Sequence, residues 1–149
     1  MQVLIVDDSE LRLNQLREIL EKSGHRVIGT ARDGVEAIEK FRALRPQLVI
    51  MDLIMPRMNG LDALRGILDL ERGANVVIAS SMHSPESALE CRRNGARFYL
   101  HKPYEPDVVI SVVGRIAEEL DGGGQGGSGT APSGKAPSGT APSGKAPSP

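Results

Sequence analysis

The stretch Val3–Leu13, which reads VLIVDDSELRL, decides the fold class of this chain. It opens with four consecutive aliphatic residues, Val3–Val6, and such an unbroken apolar run is typical of a strand that is buried on both faces of a sheet. Two aspartates end the run, and Ser9 then begins an amphipathic pattern, since serine is favourable at a helix N-terminus. A buried strand followed directly by a helix is the repeating unit of an α/β protein.

The alternation of strand and helix continues along residues 1–121, which we predict to form one domain. Further short apolar runs predict strands at Val27–Ala31, Leu48–Met51, Val76–Ala79 and Phe98–Leu100. Amphipathic stretches predict helices at Leu11–Leu20, Val35–Leu44, Leu61–Leu70, Ser87–Arg93 and Val108–Leu120. Asp33 and Ser84 are suited to begin helices, and Gly24 and Gly95 to end them. Five strand–helix pairs predict a doubly wound, five-stranded parallel sheet with right-handed crossovers and helices on both faces.

Composition excludes several classes of protein. The formal net charge is -1, so the chain lacks the excess of positive charge that direct binding of nucleic acid requires. The single cysteine excludes an internal disulfide framework and indicates a reducing compartment. No stretch resembles a secretory signal, and no apolar run approaches the roughly 18 residues that a membrane span needs. We therefore expect a cytoplasmic protein that contacts neither nucleic acid nor membrane directly.

Residues 122–149 differ in composition from the rest, and we expect them to form a disordered tail. They hold nine of the 17 glycines and five of the 10 prolines, with four alanines as their apolar content. Such a segment cannot bury enough apolar surface to offset the entropy lost on ordering it. Residues 128–147 are two copies of SGTAPSGKAP, which favours a spacer over a partner-binding segment. The repeated GTAPSGK resembles the start of a phosphate-binding loop, but alanine follows it where serine or threonine is required.

Polar side chains follow the predicted strands, at the edge of the sheet where doubly wound proteins bind ligands. Asp7 and Asp8 follow the first strand, Asp52 the third, Ser80 the fourth and Lys102 the fifth. Three neighbouring carboxylates repel one another unless a cation joins them, and hard oxygen ligands favour Mg²⁺. An ionised carboxylate beside such an ion is a nucleophile toward phosphorus, and an ammonium and a hydroxyl group stabilise a phosphoryl group in transfer. The pattern predicts a magnesium-dependent phosphoryl-transfer site.

These motifs resemble the receiver domain of bacterial two-component response regulators, and the resemblance covers nearly all of residues 2–120. It rests on VLIVDDSELRL, on MDLIMPRMNG around Asp52, on Ser80 at 22 positions before Lys102, and on GARFYLHKPY. The resemblance implies a flavodoxin-like sheet with strand order 2-1-3-4-5 and five helices. It also implies a function in a phosphorelay, as a stand-alone, CheY-like response regulator.

The resemblance further implies a role for each residue at the acidic edge. Asp52 is expected to accept the phosphoryl group from a histidine kinase or a phosphotransfer protein. Asp8 and Asp52 are expected to bind Mg²⁺ together with the backbone carbonyl of Ile54, while Asp7 orients the water molecules of the metal. Lys102 is expected to pair with the phosphoryl oxygens, through a Lys102–Pro103 bond that is typically cis in this family.

Ser80 and Tyr99 are the switch residues that the resemblance implies. Ser80 is expected to move toward the phosphoryl group and Tyr99 to swing inward behind it, which rearranges the face formed by the fourth helix, the fifth strand and the fifth helix. That face is the usual surface for an output protein, which the sequence does not identify. Ile54 and Met82 are apolar where some relatives carry polar residues, so we expect them to obstruct the attacking water and to slow dephosphorylation.

Three functions are compatible with these residues. We favour a stand-alone signalling receiver of the chemotaxis type, which is not an enzyme beyond Mg²⁺-dependent self-phosphorylation and self-dephosphorylation. The first alternative is a receiver fragment truncated from, or tethered to, an effector such as a transcription factor. The second is a metal-dependent phosphatase on the same sheet, but its usual DxDx[TV] loop is missing, since residue 9 is serine rather than aspartate.

The remaining histidines, methionines and cysteine favour structural roles over chemical ones. We expect His83 to lie in an exposed loop and His101 to point to the side opposite Lys102. The residues expected to pack in the core are Met51, Met55, Met58 and Cys91.

Overall fold

The computed structural model describes residues 1–123 of the chain. Of the predicted tail, residues 122–149, it therefore describes Gly122 and Gly123, which form the end of the last helix, two residues beyond the predicted domain boundary. The rest of that prediction, including both copies of GTAPSGK, lies outside the described residues.

In the described part of the chain, five strands form a single parallel sheet: β1 (Gln2–Val6), β2 (Arg26–Ala31), β3 (Leu48–Asp52), β4 (Val76–Ser80) and β5 (Phe98–His101). Their order across the sheet is β2-β1-β3-β4-β5, which confirms the predicted order. The order reverses at β1, because β2 lies on one side of it and β3 on the other. A crevice for ligands is therefore expected beyond the carboxyl ends of β1 and β3.

Within residues 1–123, five helices accompany the strands: α1 (Glu10–Lys22), α2 (Gly34–Leu44), α3 (Gly60–Leu70), α4 (Pro85–Arg93) and α5 (Pro106–Gly123). After α1 and α4 the chain turns at Gly24 and Gly95, whose φ angles are 90° and 105°. Glycine adopts this left-handed conformation without steric cost, so the two glycines end these helices as predicted, although α1 runs to Lys22, two residues past the predicted Leu20.

Side-chain caps set the N-termini of four helices. The predicted caps Ser9, Asp33 and Ser84 are confirmed, because each side chain accepts a hydrogen bond from a backbone N–H in the first turn of its helix. Asn59 caps α3 in the same way, by accepting from the N–H of Asp62. Each cap lies two to seven residues beyond the carboxyl end of a strand, so the caps also fix how the chain leaves the ligand-binding edge.

Both faces of the sheet are buried at the central strands, as the unbroken apolar runs predict, whereas the edge strand β2 is only half-buried before Ala31 because no strand covers its outer side. Every residue of β3 and β4 is buried. On one face, Leu4 and Met51 belong to a core cluster with Phe41 of α2 and Leu64 of α3. Helix α1 packs against β1 and β2 and buries three leucines. The residues predicted to be structural agree with this: Met51, Met55 and Cys91 lie in the cluster, and Met58 packs against it.

The chain divides into two compact units, residues 1–112 and a unit that begins at Val113. The sheet, helices α1–α4 and the start of α5 lie in the first unit. Of the second unit, the structure describes residues 113–123, which continue α5. Within residues 1–123, no helix is both long and apolar enough to cross a bilayer.

Helix α3 begins directly against the end of β3. The N–H of Gly60 donates to the carbonyl of Leu53 at 2.8 Å. A Cβ added to Gly60 would stand 2.9 Å from the Cα of Leu53, and closer still to the carbonyl oxygen of Asp52. Backbone atoms of a buried strand cannot turn aside as a flexible side chain can. Only glycine therefore allows this helix to start immediately behind Asp52.

The close approach predicts that Gly60→Ala destabilises the protein by about 1–3 kcal/mol, the usual cost of forcing extra volume into packed structure. Urea unfolding measures this change in the free energy of unfolding. Gly73→Ala is the matched control, because a Cβ at Gly73 meets no atom within 4 Å. We expect the control to change stability by less than about 1 kcal/mol. Equal effects of the two substitutions would contradict the close approach at Gly60.

Candidate functional site

The sheet brings three aspartates together at the carboxyl ends of two neighbouring strands. β1 and β3 are paired so that Val6 lies opposite Met51. The residues that follow these two, Asp7 and Asp52, are therefore neighbours, and Asp8 is next to them in the chain. Both Asp7 and Asp52 are buried, whereas Asp8 is exposed. The acidic cluster thus has one side open to solvent.

Ser80 and Lys102 reach the same edge from the next two strands. Ser80 ends β4, which pairs with β3, and its side chain is buried. The carbonyl of Ser80 accepts the N–H of Lys102 at 2.9 Å, so the sheet pairing continues one residue beyond β5. The Lys102–Pro103 peptide bond is cis, as the family resemblance implies.

The ammonium group of Lys102 lies between two of the carboxylates. Its Nζ is 2.9 Å from Oδ2 of Asp7 and 3.0 Å from Oδ1 of Asp52, and the residue is 3% exposed. A charge this deeply buried requires opposite charges beside it, because desolvation disfavours an unpaired ammonium strongly. The other oxygen of Asp7, Oδ1, accepts the N–H of Ser9 at 2.9 Å. Asp7 is thereby held from both sides.

The three carboxylates form a donor set that fits Mg²⁺. One oxygen from each of Asp7, Asp8 and Asp52 lies within 4.8 Å of the others. Three carboxylates and one ammonium leave a formal charge of -2 at this place, which a divalent cation neutralises. The ligands are hard oxygens, as Mg²⁺ prefers, and the exposed Asp8 leaves room for the water molecules that Mg²⁺ retains.

Burial raises the pKa of the Asp52 carboxyl above its ordinary value. The hydrogen bond from Lys102 and its positive charge lower this pKa, the negative charge of Asp7 raises it, and a hydrogen bond from the N–H of Ile54 lowers it. Burial outweighs the stabilising contacts, so the ionised side chain is held in an unfavourable environment. A carboxylate in such an environment is stabilised when a nearby cation, or a bond to phosphorus, neutralises its charge.

The two predicted switch residues are linked through one backbone unit of the loop after β4. The Oγ of Ser80 accepts the N–H of Met82 at 3.0 Å. The hydroxyl of Tyr99 donates to the carbonyl of the same Met82 at 3.2 Å. Tyr99 is half-buried in this arrangement. The backbone of residue 82 therefore connects Ser80 with Tyr99.

Two apolar side chains stand exposed beside the polar site. Ile54 is 60% exposed and Met82 is 43% exposed, although both are large and hydrophobic. The N–H of Ile54 lies 3.5 Å from Oδ1 of Asp52, which places this residue at the start of the loop that leaves the acidic cluster. Neither side chain offers a polar group to water that approaches Asp52.

Tyr104 is a residue of the site that the sequence did not single out. Burial raises the pKa of its hydroxyl, the negative charges of Asp7 and Asp52 raise it further, and the positive charge of Arg12 opposes them. Its phenol group is therefore within electrostatic range of the acidic cluster. The signal in the sequence is its position two residues after Lys102, in the motif HKPY.

Two of the histidines have exposed side chains. His83 and His101 are both exposed, and their rings stack at 4.6 Å between centroids. His101 is exposed while Lys102 is buried, as the alternation of side chains along a strand predicts.

Comparison with known proteins agrees with this geometry. Residues 3–114 match the family described as the response regulator receiver domain. The chain is 35% identical to the chemotaxis protein CheY of Thermotoga maritima over 117 residues, which are 78% of this chain and 98% of that protein. It is 40% identical to the chemotaxis protein CheY of Treponema pallidum over 121 residues, 80% of this chain and 82% of that protein. Among solved structures, it is similar to a chain of the CheX-CheY-BeF3-Mg+2 complex from Borrelia burgdorferi, with a TM-score of 0.76, 31% identity, and coverage of 78% of this chain and 89% of that one.

The raised pKa of Asp52 predicts that Asp52→Asn stabilises the protein when a chelator removes divalent ions. The native state holds the Asp52 proton to a higher pH than the unfolded chain does, so stability is lost as the pH rises above the unfolded value of about 4. At pH 7 we expect Asp52→Asn to raise the free energy of unfolding by more than about 0.5 kcal/mol, the usual limit for surface substitutions. The gain should shrink as the pH falls toward 4, where the aspartate is also neutral.

Urea unfolding at several pH values measures this effect, with Asp69→Asn as the control for loss of an exposed negative charge. The control should stay within about 0.5 kcal/mol at every pH. Destabilisation by Asp52→Asn in chelator would show that the contact with Lys102 outweighs burial.

Proposed function

The chain belongs to the response regulator receiver domain family, and we propose that Asp52 is the residue on which it accepts a phosphoryl group from a histidine kinase or a phosphotransfer protein. It functions as a two-component phosphorelay response regulator. The observation that carries the proposal for Asp52 is the buried contact of Lys102 with Asp7 and Asp52 beside the open carboxylate of Asp8. Of the three carboxylates, Asp52 alone lies at the end of the central strand β3.

The two oxygens of Asp52 differ in their surroundings. Oδ1 contacts both Nζ of Lys102 and the N–H of Ile54. Among residues 1–123, no group donates a hydrogen bond to Oδ2. We infer that Oδ2 attacks phosphorus: an O–P bond forms while the P–N bond of the phosphohistidine breaks, and the imidazole nitrogen keeps the electron pair. Lys102 then lies beside the new acyl phosphate, where its charge stabilises the phosphoryl oxygens.

Asp8, Asp52 and the backbone carbonyl of Ile54 would hold Mg²⁺, and Asp7 would orient its water ligands. Receiver domains bind Mg²⁺ at an acidic pocket of this kind. When bound, the ion supplies positive charge that neutralises the phosphoryl oxygens. The contribution of the chain is to hold the buried side chains of Asp7 and Asp52 in place, through Lys102 and through the N–H groups of Ser9 and Ile54.

Phosphorylation would act on the conformation through Ser80. A phosphoryl group adds about -1.5 to -2 charges at Asp52, which attract a hydroxyl donor. The Oγ of Ser80 accepts the N–H of Met82, and the carbonyl of Met82 accepts the hydroxyl of Tyr99, so a shift of this Oγ toward the phosphoryl group would pull on the backbone of residue 82. Movement at Ser80 would therefore reach Tyr99 through the backbone of residue 82, and such coupling is what a population shift between two packings requires.

The readout would be binding of an output protein, as in chemotaxis-type signalling, without direct contact with nucleic acid or membrane. This chain matches the chemotaxis proteins of Thermotoga maritima and Treponema pallidum over most of their length. That coverage favours a receiver that signals by itself over a fragment of an effector. We further propose that the protein acts in the cytoplasm. Its chemistry is limited to its own phosphorylation and dephosphorylation.

Asp52→Asn should abolish the acid-labile phosphoryl label that the protein gains from acetyl phosphate or a phosphohistidine donor with Mg²⁺. Intact-mass spectrometry detects the label as an adduct of about 80 daltons, and peptide mapping locates it. Asp69→Asn, at an exposed position on α3, is the control and should be labelled like the unchanged protein. A full label on Asp52→Asn, at Asp8 or elsewhere, would disprove the assignment.

Ile54→Asn should shorten the lifetime of the phosphoryl group, because asparagine offers the attacking water a hydrogen bond that isoleucine cannot. One hydrogen bond of about 1 kcal/mol corresponds to about fivefold faster hydrolysis. Ile54 is 60% exposed, so the substitution should leave the fold intact. The decay of the label after removal of the donor measures the half-life.

Leu44→Asn is the control for this experiment, since Leu44 is also exposed but ends α2, at the opposite edge of the sheet. Its half-life should equal that of the unchanged protein. An unaltered half-life in Ile54→Asn would remove the role assigned to residue 54.

A further inference from the structure

The loop between β3 and α3 (residues 53–59) is fastened at its base. Its first residue, Leu53, donates its N–H to the carbonyl of Ala79 at 2.9 Å and accepts the N–H of Gly60 at 2.8 Å. These two bonds fix where the loop leaves the sheet and where it enters α3. They leave the middle of the loop, which begins at Ile54, to be fixed by other contacts.

The far end of the loop is attached to the N-terminus of α2. The N–H of Gly34 donates to the carbonyl of Met58 at 3.0 Å. The two chains approach so closely that a Cβ on Gly34 would stand 2.6 Å from this carbonyl oxygen. Beside this backbone contact, the Nε of Arg57 donates to Oδ2 of Asp33 at 2.8 Å. This hydrogen bond joins a side chain of the loop to the residue that caps α2.

Asp33 is well placed to hold the loop, because its carboxylate is itself held. Its Oδ1 accepts the N–H of Glu36 at 2.9 Å and so caps α2, while its Oδ2 receives Arg57. Asp33 is buried, and Arg57 is 62% exposed at its side chain. The hydrogen bond from Arg57, and then that from Glu36, lower the pKa of Asp33, so the carboxylate is ionised at neutral pH.

The backbone of Arg57 adopts an unfavourable conformation where it makes this contact. Its φ angle is 64°, in the left-handed region that residues with a Cβ seldom adopt. A non-glycine residue stays there when its surroundings hold it in place. For the side chain of Arg57, the surroundings that hold it are the carboxylate of Asp33.

We propose that the Asp33–Arg57 ion pair is a positioning device for the Mg²⁺ site, acting through the loop that begins at Ile54. The inference rests on the proposed function, in which the backbone carbonyl of Ile54 is a ligand of the ion. Neither side chain of the pair touches the ion. The pair anchors the loop to α2 and thereby limits the positions that the carbonyl of Ile54 adopts, so the ion binds a site that is already formed.

Electrostatics and positioning predict opposite results for Arg57→Gln. Removal of a positive charge should strengthen the binding of a cation if charge alone matters. Positioning predicts weaker binding, because the loop is no longer anchored. Substitution of groups that orient metal ligands directly costs about 10- to 100-fold in affinity, and this pair acts one step further away, so we expect about a fivefold increase in the Kd for Mg²⁺.

Isothermal titration of the full, unphosphorylated chain with MgCl₂ measures this Kd for Arg57→Gln, for Asp33→Asn and for the double variant. Asparagine also caps helices, so Asp33→Asn removes the ion pair and retains the cap of α2. Positioning predicts that all three variants bind Mg²⁺ about equally weakly, since each breaks the same pair. Charge alone predicts tighter binding in Arg57→Gln, weaker binding in Asp33→Asn and near-normal binding in the double variant.

Arg45→Gln is a matched control. Arg45 also has a positive φ, of 46°, and also pairs with a carboxylate, that of Glu71 at 3.2 Å, but it lies at the other end of α2. Its loss should leave the Kd for Mg²⁺ unchanged. Exchange of the amide hydrogen of Gly34 gives a second readout, and it should be faster in Arg57→Gln than in Arg45→Gln, because this N–H binds the loop.

The outcomes separate the inference from the function on which it rests. Mg²⁺ binding that Asp8→Asn weakens but Arg57→Gln leaves unchanged, or makes tighter, overturns the inference and leaves the proposed function intact. Weaker binding in Arg57→Gln with unchanged exchange at Gly34 also overturns it, since the loop would not be the route. An unchanged protein that binds no Mg²⁺ overturns the proposed function itself.

Discussion

One buried ammonium group unites the polar edge of this sheet. Lys102 follows β5, yet its Nζ passes beyond β4 to reach Asp52 at the end of β3 and Asp7 after β1. Carboxylates this close in a buried place need a positive charge beside them to stay ionised. Because a buried ion pair adds little net stability to a fold, the arrangement is better explained by the chemistry that it prepares than by the energy of folding.

The architecture and most of the site are predictable from the sequence because local patterns determine them. Unbroken apolar runs mark strands that are buried on both faces, and the residues that follow parallel strands must meet at one edge. The strand bounds are less predictable. The sequence predicts that β3, β4 and β5 end at Met51, Ala79 and Leu100. Each strand continues for one more residue, because backbone pairing extends into Asp52, Ser80 and His101. Hydropathy records where the apolar core ends, while hydrogen bonding records where the strand ends.

Contacts between distant parts of the chain are what the sequence cannot reveal. Nothing local indicates that Arg57 meets Asp33, because both residue types are ordinary in exposed loops. The location of Tyr104 near the acidic cluster depends on how the chain turns after Lys102. The start of α3 against Asp52 requires a backbone approach that only the three-dimensional arrangement defines. Each of these features joins segments that the strand and helix patterns treat as independent.

The two hydrogen bonds at residue 82 use its main chain, one through the N–H and one through the carbonyl, while its side chain stands in solvent beside the site. Under the proposed function, signal transmission and signal duration therefore depend on different atoms of one residue. Exchange of Met82 for a polar residue would change the lifetime of the phosphoryl group and leave both main-chain hydrogen bonds in place. Evolution can therefore adjust the duration of the phosphorylated state through the side chain at residue 82, while the hydrogen-bonded connection from Ser80 to Tyr99 is retained in the main chain.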